Sequence, residues 1–321
     1  MLQGKVLITG GAGFLGRAIL RRAHRESWPC EFIVLSRDEE KQVKLKQRWP
    51  GVNCVLGDVR DIDRLLETFK GQQTIIHAAA LKYIPEAEKN VDETIAVNVE
   101  GSRNVARAAI RAGVETVVGI STDKAVLPVN AYGMSKALME RLYAQIDAKF
   151  GTRFRVVRYG NVVGSTGSVI PLFQQQLKEA GQLTITDDRM TRFWLSAEEA
   201  VELIANTIQP EPIRLPHPAY VGSVIVPKCA SMRILDLALL IAKGARIERI
   251  GIRPGEKLHE RLIDYQESAR AVDFGDLCYL YPPTEQVEGD GKEPWSYSSQ
   301  YPNRWITPDE MQAMIEDAVL V

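Results

Sequence analysis

Tyr132 and Lys136 stand four positions apart in Tyr132-Gly-Met-Ser-Lys136. On a helix such positions share a face, so the ammonium can sit beside the phenol and favour its ionised form. A tyrosinate near neutral pH is a base for a substrate hydroxyl. Upstream, Ser121-Thr122-Asp123-Lys124 closes an apolar run. Thr122 can hold a substrate oxygen there, and Asp123 with Lys124 adds an acid and a base. Alcohol oxidation alone does not need that second pair. Elimination does: a base removes the acidic proton alpha to a ketone while an acid protonates the departing hydroxide. The alternative for Asp123-Lys124 is a solvated ion pair at a strand end.

A second constellation lies at the start of the chain. Gly10, Gly13 and Gly16 follow the apolar run Val6-Leu-Ile-Thr9 and open a helical pattern from Phe14 to Arg25. This strand, glycine loop and helix start suit a dinucleotide pyrophosphate, held on the backbone of Gly10, Gly13, Phe14 and Leu15 at the positive end of the helix dipole. The end of the second apolar run selects the cofactor. Ser36 and Arg37 come first, with Asp38 behind them and Lys41 one turn on. An arginine there accommodates the 2′-phosphate of NADP, where a carboxylate would favour NAD. Asp58 and Val59, after the third run, suit the adenine edge, although Asp58 or Asp61 can instead cap a helix. Ala78 and Tyr159, at the ends of later runs, are placed with the cofactor. His77 reads as a buried strand residue.

The elements that must position these groups alternate regularly. Strand-like runs at 6–9, 32–35, 52–56, 74–77, 116–120 and 154–158 alternate with helical patterns at 14–25, 38–49, 61–69, 91–112 and 132–150. That rhythm predicts an α/β fold, a doubly wound parallel (Rossmann) sheet with its ligand site at the strands' carboxyl ends. After Gly160 the rhythm changes: helical patterns at 170–180, 197–208 and 234–243 are interrupted by a Pro-rich stretch, Pro210 to Pro218, and Gly289 to Pro294 reads as a surface loop. The expected division is a cofactor-binding domain over 1–165 and a smaller, mainly substrate-binding lobe over 166–321, with a segment near 197–226 returning to the first.

The totals narrow the class. The chain has 321 residues, 40 Lys plus Arg against 41 Asp plus Glu, and 45% hydrophobic residues. A net charge of −1 argues against a dedicated nucleic-acid binder. The four scattered cysteines form no C-x-x-C pair, so neither a disulfide scaffold nor a zinc site is expected. No apolar run approaches the roughly 20 residues of a membrane span. A cytoplasmic protein without bound metal is the expectation.

The ordered motifs carry a resemblance. The glycine loop, Thr122 and the Tyr132/Lys136 pair resemble the extended short-chain dehydrogenase/reductase superfamily. His77-Ala-Ala-Ala-Leu-Lys82, Ser121 to Ala125, Asn130 to Gly133, Arg158 to Val162, Gly167 to Pro171, Met190 to Trp194 and Gly251 to Lys257 look like the soluble, carbon-5-inverting UDP-N-acetylglucosamine 4,6-dehydratases of the polysaccharide-biosynthesis family. The likeness runs from about residue 4 to residue 265. Related thymidine-diphosphate-glucose dehydratases carry Asp-Glu where this chain has Asp123-Lys124. The glycine loop, Thr166, Val91 and the tail around Pro302 to Trp305 depart from the pattern.

The resemblance implies a hydro-lyase that uses NADP catalytically on a UDP-sugar and feeds surface glycans such as pseudaminic acid. It implies Lys82 near the sugar, Asn161, Val169 to Pro171 and Thr186 about the substrate, Arg253 clamping the diphosphate and Glu256 on a ribose or uracil group. A homo-oligomer, hexameric by the same likeness, is expected. The alternatives are a nucleotide-sugar epimerase using the same tyrosine and a catalytically silent NADP-binding protein.

Overall fold

The computed structural model describes residues 1–146, 151–208, 223–283 and 293–321. The chain begins β1 (Gly4–Thr9), α1 (Phe14–Arg25), β2 (Cys30–Ser36), α2 (Glu39–Arg48), β3 (Asn53–Leu56) and α3 (Ile62–Thr68). β4 (Thr74–His77) leads through α4 (Ile84–Lys89) to α5 (Val91–Ile95) and α6 (Gly101–Ala112), joined by a π turn at Ala96–Glu100. β5 (Thr116–Thr122), a 3₁₀ turn at Asp123–Ala125, α7 (Ala131–Ile146) and β6 (Arg153–Tyr159) follow. These six strands are parallel in the order β3-β2-β1-β4-β5-β6. The order reverses direction between β1 and β4, which opens the ligand crevice at their carboxyl ends.

Strands covered by helices on both faces must be apolar along their whole length. β1 satisfies this with Val6, Leu7 and Ile8 all buried, and β4 with Ile75 and Ile76. Two predicted helices, 14–25 and 197–208, have the observed bounds, and the predicted strand at 74–77 is β4 itself.

The second half continues with β7 (Asn161–Val162), α8 (Val169–Ala180), β8 (Gln182–Ile185), β9 (Thr191–Leu195), α9 (Ala197–Ile208), β10 (Val224–Pro227), β11 (Ala230–Arg233), α10 (Ile234–Ala242) and β12 (Arg246–Arg249). It ends with β13 (Arg261–Ile263), α11 (Tyr265–Ser268), β14 (Ala271–Asp273), β15 (Leu277–Leu280), β16 (Tyr297–Ser298) and α12 (Pro308–Val319). β10 joins the main sheet parallel to β6, and β15 and β14 extend it antiparallel. The sequence returns only 197–226 to the sheet; the structure adds 271–280. Of three small sheets, β11-β9-β7 and β12-β8 help enclose a second core of Ile170, Phe173, Leu183, Trp194, Leu237 and Met311, while β13-β16 packs Leu262, Ile263 and Tyr297 into the main core.

α4 and α12 were not anticipated. α12 is announced by Thr307-Pro-Asp-Glu310, a capping box with proline in the first turn. It carries the C-terminus onto α1, where Arg21 pairs with Asp317 at 2.7 Å and Arg17 donates to the Val321 carbonyl. The Pro210–Pro218 break, residues 147–150 of the expected fifth helix and residues 289–292 of the expected loop lie outside the described residues.

Candidate active site

The candidate catalytic groups meet because α7 is drawn tightly onto the end of β5. Asn130 caps the helix, its Oδ1 accepting from Gly133 N at 2.7 Å, while its Nδ2 donates to the Gly255 carbonyl at 2.8 Å. One residue thereby locks the Gly251–Lys257 loop to α7. Gly133 permits the approach: a Cβ there would stand 2.2 Å from the Lys124 carbonyl oxygen. Along β5, alternate side chains separate by role. Ser121 points inward and donates to Glu140 Oε1 at 2.5 Å, whereas Thr122, on the opposite face, donates to Asp123 of the 3₁₀ turn that follows the strand.

Asp123 is fully buried, yet only half of its carboxylate is used. Oδ1 accepts from Thr122 Oγ1 and from Lys124 Nζ, each at 2.9 Å. Oδ2 has no hydrogen-bond partner. Burial raises the pKa of this carboxyl, Lys124 opposes the rise and Glu260 adds to it. Lys124 Nζ also reaches Asn161 Oδ1 at 3.3 Å and Glu260 Oε1 at 3.7 Å. Burial alone would discharge Lys124, but Asp123 and Glu260 outweigh it and the pKa rises. Lys124 therefore favours its ammonium form, and Asp123 holds a proton more readily than an exposed aspartate does.

Enclosure by protein pushes the Tyr132 phenol up to about 12; Lys124 and a hydrogen bond with Thr122 pull the other way. The cation acting on the phenol is thus Lys124. Lys136, expected in that role, is buried and directs Nζ to the Ile120 carbonyl at 2.8 Å. Burial lowers its pKa to about 8 against the pull of Glu140. Behind it, His77 is fully buried as expected. Its Nδ1 lies 2.8 Å from Thr9 Oγ1 and its Nε2 3.0 Å from Ser102 Oγ, whose hydroxyl is spent on the Asn98 carbonyl. The ring is therefore neutral with its proton on Nε2.

The glycine loop fits a dinucleotide. Gly10 has φ +67°, a conformation glycine tolerates, and a Cβ there would strike Ala79 at 2.8 Å. A Cβ on Gly13 would meet only the Gly10 carbonyl oxygen, at 3.0 Å, and otherwise occupy open space at the start of α1. Phe14 and Leu15 begin that helix, and Ala78 N donates to the Thr9 carbonyl beside the loop. At the end of β2, Ser36 is buried and tied to Gln42 Nε2, while Arg37 is half exposed, 3.6 Å from Asp58 Oδ2 and 3.9 Å from Glu93 Oε1. Lys41 does not stand free as a second cation: its ammonium pairs with Asp38, which caps α2. Asp58 binds Arg60, and the cap of α3 is Asp61. Val59 is buried, and Tyr159 lies at the end of β6 close enough for Tyr132 to raise its pKa beyond what burial does.

On the substrate side, Lys82 opens to the crevice although protein surrounds it, and burial together with the Lys124 charge lowers its pKa. Val169 and Pro171 form the first turn of α8 behind Ser168, and Thr186 Oγ1 lies 2.8 Å from Met190 Sδ. Arg253 is exposed on the loop held by Asn130, with Glu256 Oε2 3.4 Å from its backbone N. Glu260 was not singled out by the sequence. It stands three residues past the Gly251–Lys257 motif, and that periodicity along the same loop is the one signal for it.

Beneath the site, Arg158 uses all five of its N–H donors. They go to both oxygens of Glu140, both oxygens of Glu267 and the Leu262 carbonyl, at 2.6–2.9 Å. Among the described residues no group of three or more His, Cys, Asp or Glu could hold a metal ion, and no helix is long and apolar enough to cross a membrane.

Comparison with known proteins agrees with this geometry. The model of a family described as "Polysaccharide biosynthesis protein" matches residues 6–282. A Campylobacter jejuni protein named UDP-N-acetylglucosamine 4,6-dehydratase (inverting) is 37% identical, over 97% of this chain and 96% of that one. A Rickettsia bellii protein named UDP-glucose 4-epimerase is 39% identical, over 97% and 89%. The X-ray structure of Pen from Bacillus thuringiensis superposes with a TM-score of 0.87 at 32% identity, covering 99% of this chain and 98% of that one.

Proposed function

The chain belongs to the polysaccharide biosynthesis protein family, and from that premise we propose that it is a nucleotide-sugar 4,6-dehydratase, a hydro-lyase acting on UDP-N-acetylglucosamine with inversion at carbon 5. The observation that carries this is Asp123: a buried carboxyl whose pKa burial raises, with one oxygen unpartnered, set against Lys124, Thr122 and Tyr132. Epimerisation at carbon 4 has no use for that acid.

Tyr132 takes the carbon-4 hydroxyl proton while Thr122 holds that oxygen. A bound nicotinamide supplies the hydride acceptor at carbon 4 and the hydride returned to carbon 6. The 4-ketone acidifies carbon 5, and Lys124 removes its proton. Asp123 gives a proton from Oδ2 to the carbon-6 hydroxyl, which departs as water. A proton then reaches carbon 5 from the opposite face. Lys124 serves only as free amine, and its raised pKa makes that form a small minority at neutral pH.

Gly10, Gly13, Phe14 and Leu15 would hold the cofactor's pyrophosphate, Ser36 and Arg37 an adenosine 2′-phosphate, and Asp58 and Val59 the adenine. Ala78, Tyr132, Lys136 and Tyr159 would line its nicotinamide half. NADP is the proposed form because Arg37 is the half-exposed cation at the end of β2, while the carboxylate of Asp38 is already engaged by Lys41. Lys82, Asn161, Val169, Pro171, Thr186, Arg253 and Glu256 are the proposed contacts of the UDP-sugar. The proposal includes a cytoplasmic homo-oligomer, hexameric by the same resemblance; exposed Val91, Ile95, Met134 and Leu138 on α5 and α7 offer apolar area for association.

Mass spectrometry of products from a panel of UDP-sugars tests the reaction. The expected product has lost one water and, in deuterated solvent, carries deuterium at carbon 5. A product of unchanged mass would establish the epimerase instead, and no turnover of any sugar would establish the silent binder.

A further inference from the structure

Glu260 is a buried carboxylate for which the mechanism above has no use. Its backbone is fixed independently of its side chain: the N–H donates to Ser299 Oγ and the carbonyl accepts from Ser299 N, both at 2.9 Å. Its Oε1 lies 3.7 Å from Lys124 Nζ, and its Oε2 has no hydrogen-bond partner and stands 3.5 Å from Lys257 Nζ. Lys124 is therefore an ammonium flanked by two buried carboxylates, Asp123 and Glu260.

Two buried carboxylates that share one ammonium disfavour each other's charge, so the one with less positive charge about it holds a proton more readily. The surroundings decide which. Glu260 faces a second ammonium, Lys257, and the field of Arg192 from β9. Asp123 faces Thr122, Lys124 and Glu260, with Tyr132 from α7 and Cys229 from the β10–β11 turn as weak acids beside it. Lys124 itself also feels Arg192 and faces Lys82. Positive charge thus gathers around Glu260 and leaves Asp123 the poorer host for an anion.

We propose that Glu260 is a positioning residue for the elimination step: as the ionised partner of Lys124, it keeps the exchangeable proton on Asp123, the group that must deliver it to the leaving hydroxyl. This rests on the dehydratase function proposed above. Burial raises the affinity of Asp123 for its proton, Lys124 opposes the rise, and the Glu260 charge adds to it. The same charge favours the ammonium of Lys124. Removing it weakens proton binding at both members of the pair.

Glu260→Gln is the test, because it keeps the shape and both backbone bonds while removing the charge. The pH profile of water loss should move bodily to lower pH by about 1–3 units, the effect of a charge within about 4–6 Å. Glu260→Asp, which restores the charge, should return the profile toward the wild-type position. A residue needed only for packing would lower the rate at every pH without moving the profile.

Infrared difference spectroscopy reads the proton without turnover. A protonated-carboxyl band that Asp123→Asn abolishes should persist to higher pH in wild type than in Glu260→Gln. An unmoved band in Glu260→Gln overturns the proposal, whatever the enzyme's substrate proves to be. A band that moves in a protein that eliminates no water would instead sink the dehydratase assignment and leave the proton placement standing. A Glu260→Gln protein that fails to fold, beside a folded Glu260→Asp with displaced titration, would also overturn it.

Discussion

Lys124→Met separates a catalytic from a merely electrostatic role for Lys124. Methionine keeps most of the stem's packing and deletes the ammonium. The structure limits the damage to stability. Asp123 retains its bond from Thr122 at 2.9 Å and takes up a proton more readily once Lys124 no longer opposes burial, and Glu260 retains Lys257 at 3.5 Å. The loss should therefore resemble that of hydrogen bonds to a charged group, about 1.5–3 kcal/mol, and fall short of the roughly 3–5 kcal/mol of a stranded buried charge. The chemistry should suffer more. Loss of a general base costs about 10²–10⁴-fold, or roughly 3–5 kcal/mol of barrier. Nuclear magnetic resonance of UDP-N-acetylglucosamine incubated in deuterated buffer follows exchange at carbon 5 and loss of water together. Both should collapse in Lys124→Met. In wild type, exchange should climb about tenfold per pH unit from neutrality, since each unit frees ten times more amine. Wild-type exchange in Lys124→Met, or exchange indifferent to pH in the native enzyme, would refute Lys124 as the carbon-5 base.

Arg37→Asp places an anion beside Asp58 and Glu93, and NADP binding measured by calorimetry should weaken by about 1.5–3 kcal/mol; unchanged affinity would release Arg37 from cofactor selection. His77 should shape acid stability. Burial, with Lys136 adding to it, lowers its pKa to about 3, so its contribution is complete above the unfolded value of about 6.5 and is lost as pH falls toward 3, about 5 kcal/mol in all. Denaturant midpoints of His77→Gln should show a flatter decline over that window than wild type, and an equally steep one would contradict the assignment. Arg253→Ala should raise KM and leave kcat nearly unchanged, because a diphosphate is held alike in ground and transition states; a collapse of kcat at constant KM would place Arg253 in the chemistry.

The parallel sheet was legible because its strands are short, apolar and regularly interleaved with helices, and periodicity alone places β1 to β6. Thr122, Asp123 and Tyr132 were legible because strand end and helix face are local properties. What escaped was long-range. The pairing of β15 and β14 with β10 joins segments whose short runs carry no period of their own. Glu260 comes within reach of Lys124 through contacts between distant parts of the chain, the Asn130–Gly255 lock and the paired backbone bonds with Ser299 among them. Spacing on the helix predicted that Lys136 would serve Tyr132. The acceptor its ammonium takes, the Ile120 carbonyl, belongs to a different element.

The Arg158 cluster bears on how such a protein can change over generations. Its guanidinium comes from β6, one carboxylate from α7, which carries Tyr132, and the other from α11, beyond the Gly251–Lys257 loop. A recombinant that joined the first 165 residues to a foreign C-terminal half would inherit the cation and one anion and lose the other. Buried charge left unmatched is among the costlier defects a fold can carry. The halves are therefore not interchangeable modules. New sugar preferences can arise by point changes in the loops around the crevice, whereas wholesale exchange of the lobe requires the three members to travel together.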